Sequence, residues 1–399
     1  MSAPPASGPR GQRVPPAVGV SLLYAAVFGH VGAFLPFFPV WLEGRGLTPG
    51  DIGLFLGLVG LTRIVAGPGV ALLIDRSGSL IRSYGLISVV GTLVLLCFVP
   101  GVPPLVLLAM APLLAAFLPT LIPLNETIAL RTAADTGASY GVMRAVGSAA
   151  FILAAIGCGW TVGMAGPEAV IWWMVLTAAL AAAGSLIATE PRPQPRGEGE
   201  AEPRRARLSD AGRLLRSRPF LMLALGGGLI QAGHAVYYAF SALHWRRLGY
   251  DETTIGLLWG VGVVAEVLLF AFAGRVGRWF GPLALVLIGG LGASVRWLGL
   301  AFDPPLWALF VLQTGHALSF GATHLGAVQF LHGALSPRLG VTGQTLYNTI
   351  SGGILLAGAT AGMGLVFDRL GALSYLAMAA MTLAGTLVTW RLMRTWRPA

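Results

Sequence analysis

Five charged residues lie inside long apolar runs of this sequence: Arg63, Glu126, Arg144, Glu266 and Arg296. If such a run crosses hydrocarbon, a charge in it costs at least about 2.5 to 3.5 kcal/mol on insertion scales, so these residues pair, face a cavity and serve a solute path. Glu126 ends one run and Arg144 begins the next, so a short turn between antiparallel helices brings them to similar depth as an ion pair. Three arginines against two glutamates leave one uncompensated positive charge, which an anionic substrate can neutralise.

Rings recur on helical faces. Gln313, His316, Phe320 and His324 are spaced at three, seven and eleven, as are Gln231, His234 and Tyr238 at three and seven, and His30, Phe34, Phe37 and Trp41 follow the same pattern. Two titratable rings on one face, His316 and His324, suit a proton relay and equally suit hydrogen bonds between helices. The aromatic rings between 30 and 41 read as packing as readily as a solute surface, and His30 alone reads as a satisfied polar residue. Neither a zinc-site spacing nor a Gly-Lys-Ser/Thr phosphate loop occurs, so no metal and no cofactor is implied. Cys97 and Cys158, both in apolar runs, read as packed thiols.

The elements that hold these residues follow from composition. With 55% hydrophobic and 11% charged residues among 399, and a mean hydropathy of +0.76, the solvent for most of the chain is lipid. Runs long enough to cross about 30 Å of hydrocarbon fall at 18–42, 52–74, 83–101, 104–130, 141–163, 168–188, 219–245, 254–274, 281–301, 305–333, 341–367 and 372–393. An all-helical integral membrane protein with twelve transmembrane helices is the expectation. Its parts are a tail at 1–17, a six-helix bundle at 18–188, a linker at 189–218, a second bundle at 219–393 and a tail at 394–399.

All 26 basic residues are arginine. With the termini on one side, nineteen fall in the loops and tails of that side, and only Arg45, Arg246, Arg247 and Arg369 fall on the other. The asymmetry places both termini in the cytoplasm and accounts for the net charge of +10. Nucleic-acid binding, which needs a basic stripe on a water-facing surface, is excluded.

The halves repeat. Gly46-Leu-Thr-Pro-Gly-Asp-Ile-Gly53 aligns with Gly249-Tyr-Asp-Glu-Thr-Thr-Ile-Gly256, and Val102-Pro-Pro-Leu105 with Asp303-Pro-Pro-Leu306. Duplication of a six-helix unit follows. The first alignment places Arg63 and Glu266 at equivalent positions, an arrangement in which they could face each other across the centre.

These residues carry a resemblance to the major facilitator superfamily along the whole chain, and within it to the proton symporters that include lactose permease. Gly32 to Leu42 resembles that group's first helix, Asp75-Arg-Ser-Gly78 a reduced form of the superfamily's loop-two-three motif, and Glu126 with Arg144 the group's substrate-binding pair. Glu266, Arg296 and His316 stand where its helix-eight Glu, helix-nine Arg and helix-ten His stand. Ser319 replaces the helix-ten carboxylate that carries the coupling proton in that group, and Phe151 replaces a sugar-stacking Trp. A closer resemblance is to bacterial phenylpropionate permeases, through Leu229 to Leu243, Gly262 to Val267, Val295-Arg-Trp297 and His316 to Leu325.

The resemblance implies two bundles rocking about a central site, no enzymatic activity, and uptake of a small aromatic carboxylate with a proton by a monomer in the inner (plasma) membrane. Glu126, Arg144, His234, Tyr238, Phe34 and Arg296 would bind the solute, and Glu266, His316, His324 and Arg63 would couple the proton. A proton entering down 100 mV supplies roughly 2.3 kcal/mol, so no ATP is needed. A sugar or nucleoside symporter and a drug exporter are the alternatives within transport, and a membrane-embedded enzyme or sensor the alternative outside it.

Overall fold

The computed structural model describes residues 14–115, 117–192 and 208–396, and among them all regular structure is helical. The N-terminal half runs through α1 (Pro16–Gly44), α2 (Pro49–Ser77), α3 (Leu80–Leu96), α4 (Pro104–Ala115), α5 (Leu118–Thr136), α6 (Tyr140–Ala165) and α7 (Ala169–Ile187). A short α8 (Leu208–Leu214) leads into the C-terminal half. There follow α9 (Arg218–Ala232), α10 (Ala235–Arg247), α11 (Glu252–Ala271), α12 (Ala273–Trp279), α13 (Pro282–Leu300) and α14 (Leu306–Thr314). The chain ends with α15 (Thr323–Ala334), α16 (Pro337–Asn348), α17 (Leu356–Leu370) and α18 (Ser374–Thr395).

Among the described residues nine stretches are long and apolar enough to cross a membrane, and one of these, Leu339–Thr395, holds most of α16 and all of α17 and α18. Leu80–Leu96 is apolar but shorter. The twelve expected spans lie largely on this helical framework. The expected tails and linker fall mostly on residues 1–13, 193–207 and 397–399, outside the described residues, as does the side chain of Asp75.

Long helices here are not uniform. His234 sits at the junction of α9 and α10, and wide π-helical turns, Ala317–Ala322 and Thr349–Leu355, interrupt α14/α15 and α16/α17. Such turns concentrate at functional sites.

The repeat is visible at atomic level. Gly46 and Gly249 follow their helices with φ of +84° and +89°, which a residue without Cβ adopts freely. Two residues later the caps mirror each other. Thr48 Oγ1 accepts from the Asp51 amide at 3.2 Å, whereas Asp251 accepts from the Thr254 amide at 2.9 Å and its hydroxyl at 2.6 Å, so the Thr and Asp of the two caps have exchanged places. Those two bonds hold the exposed Asp251 carboxyl below its ordinary pKa.

The same repeat sets the contact between halves. A Cβ on Gly53 of α2 would lie 2.9 Å from the Gly364 Cα of α17, and one on the equivalent Gly256 of α11 would lie 2.4 Å from the Ala155 carbonyl of α6. Two small-residue interfaces therefore join the halves at the arginine-poor face. Toward the arginine-rich face, Ile64 on Gly353 and Ile152 on Gly260 still approach closely near mid-helix. Beyond the arginine-poor ends of the interfaces, Arg247 bonds Glu43 of α1 at 2.9 Å and Asp368 at 3.3 Å, and Arg246 bonds Glu252 at 2.9 Å and reaches Glu43 at 3.8 Å.

Candidate functional site

The expected ion pair forms. Gly137, at a φ of +72°, ends α5, and Ser139 caps α6, so the two helices return antiparallel and Arg144 Nε comes 3.4 Å from Glu126 Oε1. Tyr140, one helical turn before Arg144, donates its hydroxyl to Glu126 Oε2 at 2.5 Å. The guanidinium lies 4.1 Å from the Phe28 ring centroid and donates to Ser148. Both side chains remain about 30% accessible, so the pair borders open space. Tyr140 is absent from the expected set, although its i, i+4 spacing to Arg144 is visible in the sequence.

In the C-terminal half a buried hydrogen-bonded chain replaces the scattered expectation. Arg296 donates to His316 Nδ1 (3.3 Å), Ser319 Oγ (3.2 Å), Gln313 Oε1 (2.7 Å) and the Leu312 carbonyl (3.0 Å). It also lies over Tyr237 and Trp297, at 4.4 and 4.7 Å. A guanidinium only donates, so His316 Nδ1 is the accepting nitrogen and the proton sits on Nε2, which points at Glu266 Oε2 across 3.4 Å. His234 donates from Nδ1 to the Gln231 carbonyl (3.0 Å), leaving Nε2 to accept from the Ser319 hydroxyl at 3.1 Å. The tautomers are thus assigned by their partners, and the chain reads Glu266, His316, Arg296, Ser319, His234. Ser319, which stands where the resemblance has a carboxylate, is the link between Arg296 and His234.

His234 and Arg296, expected to touch solute, are 0% and 1% accessible and stand behind the open space. His324 extends the same face outward: His316, Phe320 and His324 stack with ring planes 7° and 1° apart.

Arg63 does not face Glu266. The duplication puts α2 against α17 and α11 against α6, two different interfaces, so equivalent residues lie on opposite sides of the molecule's centre. The partner that Glu266 meets is His316 instead. Arg63 borders a cavity of about 130 Å³ shared with Phe34 and Tyr238. Of the ring-bearing face of α1, His30 is a structural residue, bonded to the Met174 carbonyl and Thr177 Oγ1 at 3.1 Å each, and Phe37 and Trp41 are fully buried packing.

The MFS_1 like family matches residues 18–377. An Escherichia coli (strain K12) protein named "Probable 3-phenylpropionic acid transporter" is 29% identical over 352 residues, 88% of this chain and 91% of that protein. The "Maltose permease" of Geobacillus stearothermophilus is 29% identical over 385 residues, 95% of each. Among solved structures, a mutant of the nucleoside transporter NupG superposes with a TM-score of 0.81 at 14% identity, over 94% of this chain and 99% of that one. A bacterial homolog of the human lysosomal transporter Spinster gives 0.72 at 17%, over 98% and 100%.

Proposed function

The chain belongs to the MFS_1 like family, and from that premise we propose that it is a proton-coupled importer of a small aromatic carboxylate. It is a multi-pass membrane protein of the major facilitator fold and a secondary transporter. Its substrate is what the proposal adds.

The observation that carries the reading is the charge balance of the interior. Glu126 is engaged by Arg144 and Tyr140, and Glu266 by His316, so three arginines remain opposed by two occupied carboxylates. An uncompensated cation in a low-dielectric interior is costly, and an anionic solute relieves that cost. Phe34 and Tyr238 offer the ring of such a solute flat apolar faces. The name of the Escherichia coli relative agrees with this class. Sugar or nucleoside symport is the second reading, favoured by the names of the maltose and nucleoside transporters, but a neutral solute leaves the extra charge unopposed.

In this reading Glu266 carries the proton. Protonation removes the charge facing His316 Nε2, and the tautomer of His316 is meanwhile held by Arg296; His324 hands protons along the stacked face. Glu126 and Arg144 border the solute path, with His234 and Arg296 bracing its wall. The arginine-rich face is cytoplasmic, the membrane is the inner (plasma) membrane, and a monomer suffices. The two halves rock about the central site, opening and closing the arginine-poor ends.

Purified protein in liposomes should accumulate labelled 3-phenylpropionate when the outside is acidified, and lose that accumulation when a protonophore is added. Accumulation of maltose or a nucleoside but not of the acid would turn the assignment to the second reading.

A further inference from the structure

We propose that Arg63 is the residue that receives the carboxylate group of the substrate. This rests on the aromatic-carboxylate reading above and names the group within it.

The three internal arginines are not equivalent. Arg144 is paired with Glu126, and Arg296 spends its donors on four acceptors inside its own half. Arg63 has neither an ion pair nor a hydrogen bond among the described residues, and its side chain is exposed although it stands midway along a long apolar helix. Arg63 is thus the one of the three whose guanidinium has no partner among the described residues, and it is free to receive an anion.

Its surroundings say what would neutralise it. Leu56, Val59, Gly60 and Arg63 fall at i, i+3, i+4 and i+7, a single face of α2, and all four line the cavity between the halves. Phe34 of α1 and Tyr238 of α10 close it from either half, and no other charged side chain among the described residues lines it. Phe34 is backed by Phe38 at 5.0 Å, and Tyr238 by His234 at 5.3 Å and Trp259 at 6.0 Å, so both rings are held in place. An apolar cavity of about 150 Å³ holds a benzene ring, and this one measures about 130 Å³. A cavity of this order takes little more than one ring, and a single anionic group reaching the Arg63 end matches its charge. The guanidinium fork suits a carboxylate in two parallel hydrogen bonds, and apolar walls strengthen that contact.

The cavity also touches both halves, through α1 and α2 on one side and α10 and α17 on the other. A ligand held there is released only when they separate, which is what alternating access requires.

The test uses full-length protein in detergent, with 3-phenylpropionate and its uncharged amide, 3-phenylpropanamide, as probes by calorimetry. Arg63→Gln should weaken the acid by about tenfold to a hundredfold, as loss of a charge-assisted pair does, and leave the amide within about twofold of the unsubstituted protein. Retained amide binding shows that the variant is folded. Arg63→Lys, which keeps charge but not the fork, should fall between. An Arg63→Gln variant that binds the acid as the unsubstituted protein does overturns the assignment to Arg63 while the aromatic-carboxylate reading stands. Unsubstituted protein that binds no aromatic acid, or that binds a nucleoside or sugar instead, overturns both.

Discussion

Gly53 of α2 and Gly364 of α17 pass so closely that a Cβ on Gly364 would lie 3.0 Å from the Gly53 Cα and 2.6 Å from the Pro49 carbonyl. Backbone, not a flexible side chain, stands in the way. A larger residue can be accommodated only by parting the halves at the arginine-poor face.

Gly53→Val should therefore favour the form opened at that face. With Cys97 and Cys158 replaced by serine, the thiol of a Leu35→Cys change on the cavity wall should be alkylated several-fold faster by an impermeant reagent applied from the arginine-poor side. Equal labelling with and without Gly53→Val would remove this contact as the closing surface.

The Glu43 clasp acts in the same place with a different strength. Its arginine partners and Glu43 itself are 30 to 43% accessible, so each pair is worth no more than about 1 kcal/mol, roughly a fivefold change in an equilibrium. Glu43→Gln, which removes both pairs, should leave the melting temperature nearly unchanged while speeding the same cysteine labelling by no more than about thirtyfold, and high salt should reproduce most of that gain in the protein that keeps Glu43. A loss of several degrees in melting temperature would show the clasp to be a structural staple instead.

Proton coupling is tested at Glu266. Glu266→Gln mimics the protonated acid and keeps a partner for His316 Nε2, so exchange of labelled for unlabelled solute should persist while accumulation driven by a pH gradient disappears. Accumulation that survives this change would move the proton to His316 or His324.

A single carboxylate-imidazole contact, Glu266 with His316, offers one proton site in the chain that runs to His234. A monoanion entering with one proton carries no net charge. The roughly 2.3 kcal/mol per 100 mV expected above for the proton alone is then offset by the anion that enters with it, and only the pH difference drives uptake, about tenfold per unit. A potassium diffusion potential imposed at equal pH should thus produce no accumulation, and an electrically driven uptake would require a second proton.

The repeat was legible because glycine and capping residues report backbone geometry directly: Gly46 with Gly249, Thr48 with Asp251 and Gly53 with Gly256 can be aligned without knowing which helices touch. The Glu126–Arg144 pair was legible because a short turn fixes its geometry. The partners of Arg63 and Glu266 were not, since equivalence by duplication does not give adjacency; that depends on which helix of the other half each element meets. The Ser319 link escaped for a related reason. Its meaning lies in three helices converging, and no spacing along one helix records that.

The π-helical turn Ala317–Ala322 amounts to one residue too many wound into a helix. Each residue of an ordinary helix advances the side chains by about 100°, so deleting one residue there would swing His324 and all that follows by about a quarter turn relative to His316. The parallel stack of His316, Phe320 and His324 exists only at the present count.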